Sequence, residues 1–438
     1  MTKRIQFTQT LDSVETTRQQ LMGWGSTFVE CLVLDGRFQS QPADLYESHG
    51  WMMAVDAFTS IKADETTALA NLQDFQGYTR DWLFGFMGYD LKNAMEPLPS
   101  NLPQTVEFPM LYFFQPKRLF KIEGNQLIAL YLPCCEEEWD ADWKAIQNWQ
   151  LETKQPNNLV NWEARLSKEV YIEKIHKLQA HIQRGDIYEV NFCTEFYSTA
   201  TEINPLLTYE QLCERSKAPF AAYLKWQNNY LLCASPERYI KKSGSKLISQ
   251  PIKGTARRST DKLIDSELAH SLQLDPKERA ENIMIVDLVR NDLSRVALSN
   301  SLEVNELCRV YTFSQVHQLI STISCNIPTE MGLTPVLKAS FPMGSMTGAP
   351  KIRAMELIEA FEVTQRGLYS GSLGYITPEG DFDFNVVIRS LMFDANRHYA
   401  SCSVGSAITA LSDPEQEYEE CLLKAKAIKD VLLQLSAS

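Results

Sequence analysis

Gly371-Ser-Leu-Gly-Tyr-Ile-Thr377, Phe382-Asp-Phe-Asn-Val-Val-Ile-Arg-Ser-Leu-Met-Phe393 and Tyr399-Ala-Ser-Cys-Ser-Val404 follow one another with short turns between them. All three read as strands. A long helix opened by Asp413-Pro414 then runs through Leu435. Strands follow strands here without a βαβ rhythm, which points to α+β and away from a doubly wound sheet. Working upstream, strands are predicted over 188–197, 221–225, 230–234 and 247–251. A helix is predicted over 167–184, where Tyr171, Ile172, Ile175, Leu178 and Ile182 recur at helical spacing before Gly185. The first 150 residues are β-rich. Runs over 28–34 and 83–89 read as strands, and 117–132 reads as a hairpin turning at Glu123-Gly124-Asn125. A polar, Trp-bearing stretch over 136–162, with Pro156-Asn157-Asn158, reads as a soft boundary.

Composition narrows the function classes. The 438 residues carry 42 Lys plus Arg against 55 Asp plus Glu, a formal charge of −13. So acidic a chain is a poor match for a nucleic-acid backbone, and an acidic substrate would need a local basic pocket. No apolar run approaches the ~20 residues of a membrane span, and the amino terminus lacks the apolar core of a secretory signal. The ten cysteines form no C-x-x-C pair. They read as reduced thiols of a cytoplasmic protein.

Two helices share a signature. Asp275-Pro276 and Asp413-Pro414 each place Asp at an N-cap and Pro at the first helical position. Glu278 and Glu281 follow in the first, Glu417 and Glu420 in the second, each pair spaced i, i+3 on one face with Lys424 one turn beyond. Four such carboxylates could hold a hard cation such as Mg²⁺. Each pair alone is equally the acidic first turn that a helix dipole favours. Glu173/His176 and Glu267/His270 match the Glu-x-x-His spacing of di-iron bundles, but so strand-rich a chain offers no bundle of four long helices.

Lys253, in Ser249-Gln-Pro-Ile-Lys-Gly-Thr-Ala-Arg-Arg258, sits where a strand meets a glycine. With Arg257 and Arg258 nearby its ammonium should be disfavoured, and a neutral amine is a nucleophile. A solvated loop lysine is the commoner alternative. Ser340-Phe-Pro-Met-Gly-Ser-Met-Thr-Gly-Ala-Pro-Lys351 opens a helix over 352–361, an anion-binding arrangement better suited to a carboxylate than to a nucleotide phosphate. Arg389 is expected mid-strand, where an interior guanidinium needs an acidic partner or a ligand carboxylate.

Together these segments resemble the chorismate-utilising enzymes. The resemblance is strong over 165–435 and weaker over the first 150 residues. It is carried by Gly185-Asp-Ile-Tyr-Glu-Val-Asn191, Ser235-Pro-Glu237, Pro251-Ile-Lys-Gly-Thr255, Asp275-Pro-Lys-Glu-Arg-Ala-Glu281, Asp287-Leu-Val-Arg-Asn-Asp-Leu293, Ile388-Arg-Ser390, and the stretches 344–351, 369–374 and 413–427. Pro-Ile-Lys-Gly-Thr marks the branch that makes 4-amino-4-deoxychorismate on the way to 4-aminobenzoate and folate, whereas anthranilate synthases generally have Ala in place of Lys253. The resemblance implies one large α+β domain of two β-sheets packed face to face, mostly antiparallel, with helices outside. In it 1–150 and 165–435 would be intertwined.

The resemblance further implies that Lys253 attacks C2 of chorismate while the C4 hydroxyl leaves, protonated by Glu237, and that ammonia then enters at C4. Mg²⁺ would be held by Glu281 and Glu420 with Glu278 and Glu417 in support. Thr255, Ser345, Tyr369, Arg389, Gly405 and Lys424 would line the substrate pocket. The chain carries no Gly-x-Cys-x-Gly segment with a downstream His-x-Glu, so ammonia is expected from a separate glutamine amidotransferase subunit or from free ammonium. No lyase activity is expected of this chain, so the expected product stays 4-amino-4-deoxychorismate. Glu189 stands where aminating relatives usually have Gln and isochorismate synthases a Lys. Gln318, Ala407 and Cys31 depart from usual His, Gly and Ser, the last making tryptophan feedback doubtful. An anthranilate synthase component and an inactive family scaffold are the alternatives.

Overall fold

The strand Leu111–Glu123 pairs along its whole length with Trp51–Ala63, and Pro116 lies near the middle of that ribbon. Proline has no N–H to give to a ladder. The ladder is irregular here: the register shifts between Ala57 and Thr59, and Asp56 turns to φ 60°. Beyond this bulge the ribbon belongs to different neighbours at its two ends. Gln126–Tyr131 pairs with one half and Leu83–Met87 with the other.

The computed structural model describes residues 3–437 except 39, 45, 47–49, 65, 97, 99 and 151–159, and only the backbone of 434–437. Two sheets grow from the ribbon, and every strand pair is antiparallel. The first runs Ile5–Thr10, Gln126–Tyr131, the ribbon, Glu30–Asp35, Phe220–Trp226, Asn229–Ser235, Ser390–Asp394, Tyr399–Ile408 and Glu189–Ser198. The second runs from Leu83–Met87 through Ser372–Ile376, Phe382–Asn385, Arg238–Ser243 and Lys246–Gln250 to Val316–Asn326. That last strand also pairs with Ile252–Arg257 and Glu303–Thr312.

Period-two alternation splits the apolar residues between two cores. Leu32, Leu34, Met52 and Ala54 face Phe84, Phe113 and their neighbours in one cluster. Cys31, Val33, Met53 and Val55, on the opposite face, pack with Leu21, Tyr171 and Ile428 from the helices Val14–Gly25, Lys168–Gln183 and Pro414–Ala437. This is the expected α+β single domain of two packed antiparallel sheets with outer helices. The ribbon also joins the two sheets into one hydrogen-bonded network.

One expectation is corrected. The apolar run over 382–393 is two strands, Phe382–Asn385 in the second sheet and Ser390–Asp394 in the first. Residues 386–389 cross between the sheets, and Arg389 ends the crossing at φ 53°, outside any strand. Both sheets bury their strands here, so hydrophobicity stays continuous and hides the break. Pro156, Asn157 and Asn158, at the expected boundary, lie outside the described residues. Among the described residues no helix is long and apolar enough to cross a membrane. All ten cysteines are free thiols, buried except Cys134.

Candidate active site

The chain crosses from one sheet to the other at two neighbouring places. Residues 386–389 are one; Pro236 and Glu237, between Asn229–Ser235 and Arg238–Ser243, are the other. Val386 N–H donates to the Glu237 carbonyl at 3.0 Å, tying them together. Glu237 is therefore held at a seam where neither ladder is regular. Its side chain is 4% exposed, and Ser345 Oγ donates to Oε1 at 2.7 Å. Burial pushes the carboxyl up to about 7, against the opposing pulls of Ser345, Lys253 and a backbone hydrogen bond.

Lys253 lies on the strand Ile252–Arg257, whose register with Val316–Asn326 shifts between Ile252 and Thr255. Gly254 supplies the shift at φ 96°, and a Cβ there would stand 3.0 Å from both Glu278 Oε2 and Leu319 Cδ1. Lys253 Nζ donates to Glu189 Oε1 at 2.9 Å. Glu189 opens the strand Glu189–Ser198 and is 1% exposed. Burial opposes the Lys253 charge, but Glu189, Glu281 and Glu237 outweigh it and hold the pKa above the ordinary lysine range. This overturns the expectation of a disfavoured ammonium. Arg258 turns away to Asp265 at 2.9 Å, Arg257 is exposed, and three carboxylates face Nζ instead.

The helices Pro276–Ser294 and Pro414–Ala437 begin as expected. Asp275 Oδ1 accepts from the N–H groups of Lys277 and Glu278, and Asp413 Oδ1 from those of Glu415 and Gln416. Burial raises Glu278, with Asp275 and Glu420 adding to it, and raises Glu417, with Glu420 adding. Burial raises Glu281 to about 7. Burial would also raise Glu420, but Lys424, 2.6 Å away, outweighs it and holds the carboxyl low. Lys424 also donates to the Gly405 carbonyl at 2.7 Å. Glu415 and Glu419 face elsewhere, toward Lys168.

Mutually repelling oxygen donors with a hard-cation preference thus share one region, and their chemistry fits Mg²⁺. As the side chains stand, no three acidic, His or Cys groups among the described residues are gathered closely enough to hold an ion. His176 and His270 are exposed on separate helices and form no di-iron arrangement.

Around this centre Tyr369 is buried, and Gly405 leaves no room for a Cβ, which would stand 2.6 Å from Cys193 Sγ. Arg389 has no carboxylate within ion-pair distance among the described residues, and burial lowers its pKa. Thr255 is exposed on the strand next to the Gly254 bulge. The loop 344–347 is less open to an anion than expected. Met346 and Thr347 N–H groups already donate to the Met343 and Gly344 carbonyls, and Pro350 caps the following helix Lys351–Phe361.

Two positioning groups escaped the sequence reading. Arg366, 4% exposed, donates to both oxygens of Glu362, to the Met346 carbonyl at 2.6 Å and to the Asn191 carbonyl at 2.7 Å. It thereby joins the loop carrying Ser345 to the strand carrying Glu189. Lys351 donates to Asp292 at 2.5 Å and to the Ser340 carbonyl at 2.9 Å, fixing the loop to the carboxylate-bearing helix. A buried Arg followed four residues after a Glu was the available signal for the first.

Residues 30–430 match the family model described as chorismate binding enzyme. The aminodeoxychorismate synthase component 1 of Salmonella typhimurium is 36% identical over 346 residues, 78% of this chain and 75% of the relative. The chloroplastic aminodeoxychorismate synthase of Arabidopsis thaliana is 41% identical over 401 residues, 86% of this chain and 42% of the longer plant protein. The crystal structure of anthranilate synthase component I from Streptococcus pneumoniae superimposes with a TM-score of 0.75 at 24% identity, covering 90% of this chain and 95% of that one.

Proposed function

This chain belongs to the chorismate binding enzyme family, and from that premise we propose that it converts chorismate and ammonia to 4-amino-4-deoxychorismate. The observation that supports the reading best is the nearness of Lys253 and Glu237, whose charges act on each other. The primary amine is half-buried, and the buried carboxyl keeps its proton to about pH 7. Lys253 Nζ forms the bond to C2, and Glu237 gives its proton to the departing C4 hydroxyl. Ammonia then bonds to C4, and the Nζ–C2 bond breaks as the ring double bonds shift back.

Thr255, Ser345, Tyr369, Arg389, Gly405 and Lys424 line the pocket, where the cationic side chains of Arg389 and Lys424 answer a substrate dianion. Glu281 and Glu420, supported by Glu278 and Glu417, would hold Mg²⁺, which when bound supplies the positive field for a substrate carboxylate. Relatives named component 1 support a second component, which in this reading is a glutamine amidotransferase that supplies the ammonia. Ten unpaired thiols support a reducing compartment, the cytoplasm.

The test is product identity. Chain incubated with chorismate, ammonium and Mg²⁺ should form a species that an added lyase converts to 4-aminobenzoate. Fluorescent anthranilate as the sole product would overturn the reading. Lys253→Ala should abolish or redirect the reaction, and an unchanged product and rate would remove Lys253 from the chemistry.

A further inference from the structure

The strand Val316–Asn326 has a bulge against it on each side. Toward Ile252–Arg257 the register passes from Ile252 opposite Ile320 to Thr255 opposite Gln318, so Lys253 and Gly254 together face Leu319. Toward Glu303–Thr312 it passes from Glu306 opposite Thr322 to Arg309 opposite Ile320. Leu307 and Cys308 therefore face Ser321 together, and Cys308 turns to φ 51°. Two residues against one is what defines a bulge. Leu319 and Ser321 are two apart and share a face of their strand.

One side chain meets both bulges on that face. Asn282 follows Glu281 on the helix Pro276–Ser294 and is 1% exposed. Its Nδ2 donates to the Lys253 carbonyl and to the Leu319 carbonyl, each at 3.2 Å. Its Oδ1 accepts from Ser321 Oγ and Cys308 Sγ, and Ser321 Oγ accepts from the Cys308 N–H at 2.9 Å. Both donors and both lone pairs of the amide are thereby used. With two carbonyls on one side, only this orientation of the amide satisfies its neighbours.

The bulge beside Asn282 decides where Lys253 points. A regular ladder continued from Thr255 would put Gly254 opposite Leu319 and Lys253 opposite Ile320. Such a one-residue slip turns a side chain to the other face of the sheet. Lys253 would then share the face of Ile320, which packs with Tyr311 and Phe313. With the bulge in place, its Nζ reaches Glu189 Oε1 at 2.9 Å. Gly254 lets the helix lie this close, since a Cβ there would stand 3.0 Å from Glu278 Oε2.

We propose that Asn282 is the positioning residue of the nucleophile: it ties the backbone of Lys253 to the helix that carries Glu278 and Glu281, and so holds the amine on the side of those carboxylates. The proposal rests on the amination reading above. Asn282 makes and breaks no bond in the reaction and acts through the Lys253 carbonyl.

Asn282→Ala removes both bonds from Nδ2. Hydrogen–deuterium exchange of the substrate-free, metal-free chain should then quicken by about tenfold or more over Ile252–Arg257, while Trp51–Ala63 keeps its wild-type rates. In single turnover with chorismate, ammonium and Mg²⁺, amination should slow by about 10²-fold. The chorismate concentration for half-maximal rate should stay within about threefold of wild type. Ser321→Ala leaves the Lys253 carbonyl held and should lose less. Leu127→Ala, in the distant strand Gln126–Tyr131, lowers the melting temperature without touching the bulge and should keep the wild-type rate. Asn282→Ser, small enough to admit water to the bulge, takes the place of Asn282→Ala if that chain does not fold, with the same outcomes expected. Wild-type exchange over Ile252–Arg257, an unchanged amination rate, or an equal loss in Ser321→Ala or Leu127→Ala would overturn the proposal while leaving the amination reading intact. Wild-type chain that forms no aminated product would overturn both.

Discussion

Glu237 carries the clearest pH dependence at the scale of single residues. Burial keeps its proton to about pH 7, so kcat/KM should fall as pH rises through that value, and Glu237→Gln should lose about 10² to 10⁴ in rate. The same shift bears on stability. A carboxyl whose folded pKa lies above its unfolded value binds more protons when folded. Its contribution is full below about 4.5 and is lost as pH rises through about 7. Metal-free Glu237→Gln should therefore gain stability relative to wild type between pH 5 and pH 8, by up to about 3 kcal/mol, measured by denaturant unfolding at both values. An equal difference at the two pH values would refute this. Lys253 and Glu237 were legible because short motifs surround them. The ion pair between Lys253 and Glu189 was not, because it joins segments far apart in sequence. The mistaken role for Arg257 and Arg258 has a local cause. Strand alternation sets Arg258 on the face opposite Lys253, and the Gly254 bulge re-aims Arg257, which alternation alone would place on the same face.

Secondary-structure elements act here through their first turns and their breaks. The two Asp-Pro helices bring Glu278 and Glu281 toward Glu417 and Glu420, so isothermal titration of Mg²⁺ should lose at least tenfold in affinity with Glu281→Gln or Glu420→Gln. Unchanged binding would place the cation elsewhere. Arg366 serves a different element-level task, fastening the 344–347 loop to the strand Glu189–Ser198. Replacing it with Met leaves Glu362 buried and uncompensated, which should cost about 3 to 5 kcal/mol in urea unfolding. The helix starts were readable from Asp-Pro because capping is a local property. The crossing at 386–389 was not readable, since it depends on which sheet receives each half of one apolar run.

For the whole molecule, a chain of net charge −13 holds Arg389 and Lys424 half-buried. The charge of −13 argued against nucleic acid but said nothing of Arg389 or Lys424. The packing of sheet on sheet could be anticipated, but the ribbon joining them could not. It depends on the long pairing of Trp51–Ala63 with Leu111–Glu123 and on the bend at Pro116. Strands from the first third pair with strands from much later. Glu30–Asp35 pairs with Phe220–Trp226 and Leu83–Met87 with Ser372–Ile376. Residues 1–150 and 160–438 expressed apart should each lack cooperative thermal unfolding, and a sharp transition in either alone would contradict that.

The late partner of Leu83–Met87 also has a meaning in time. A ribosome releases the first strands long before Ser372–Ile376 exists, and pairings so distant along the chain make folding slow. The growing polypeptide must carry an unfinished sheet edge through most of its own synthesis. Its yield in a cell should therefore depend on chaperone supply more than its final stability would suggest.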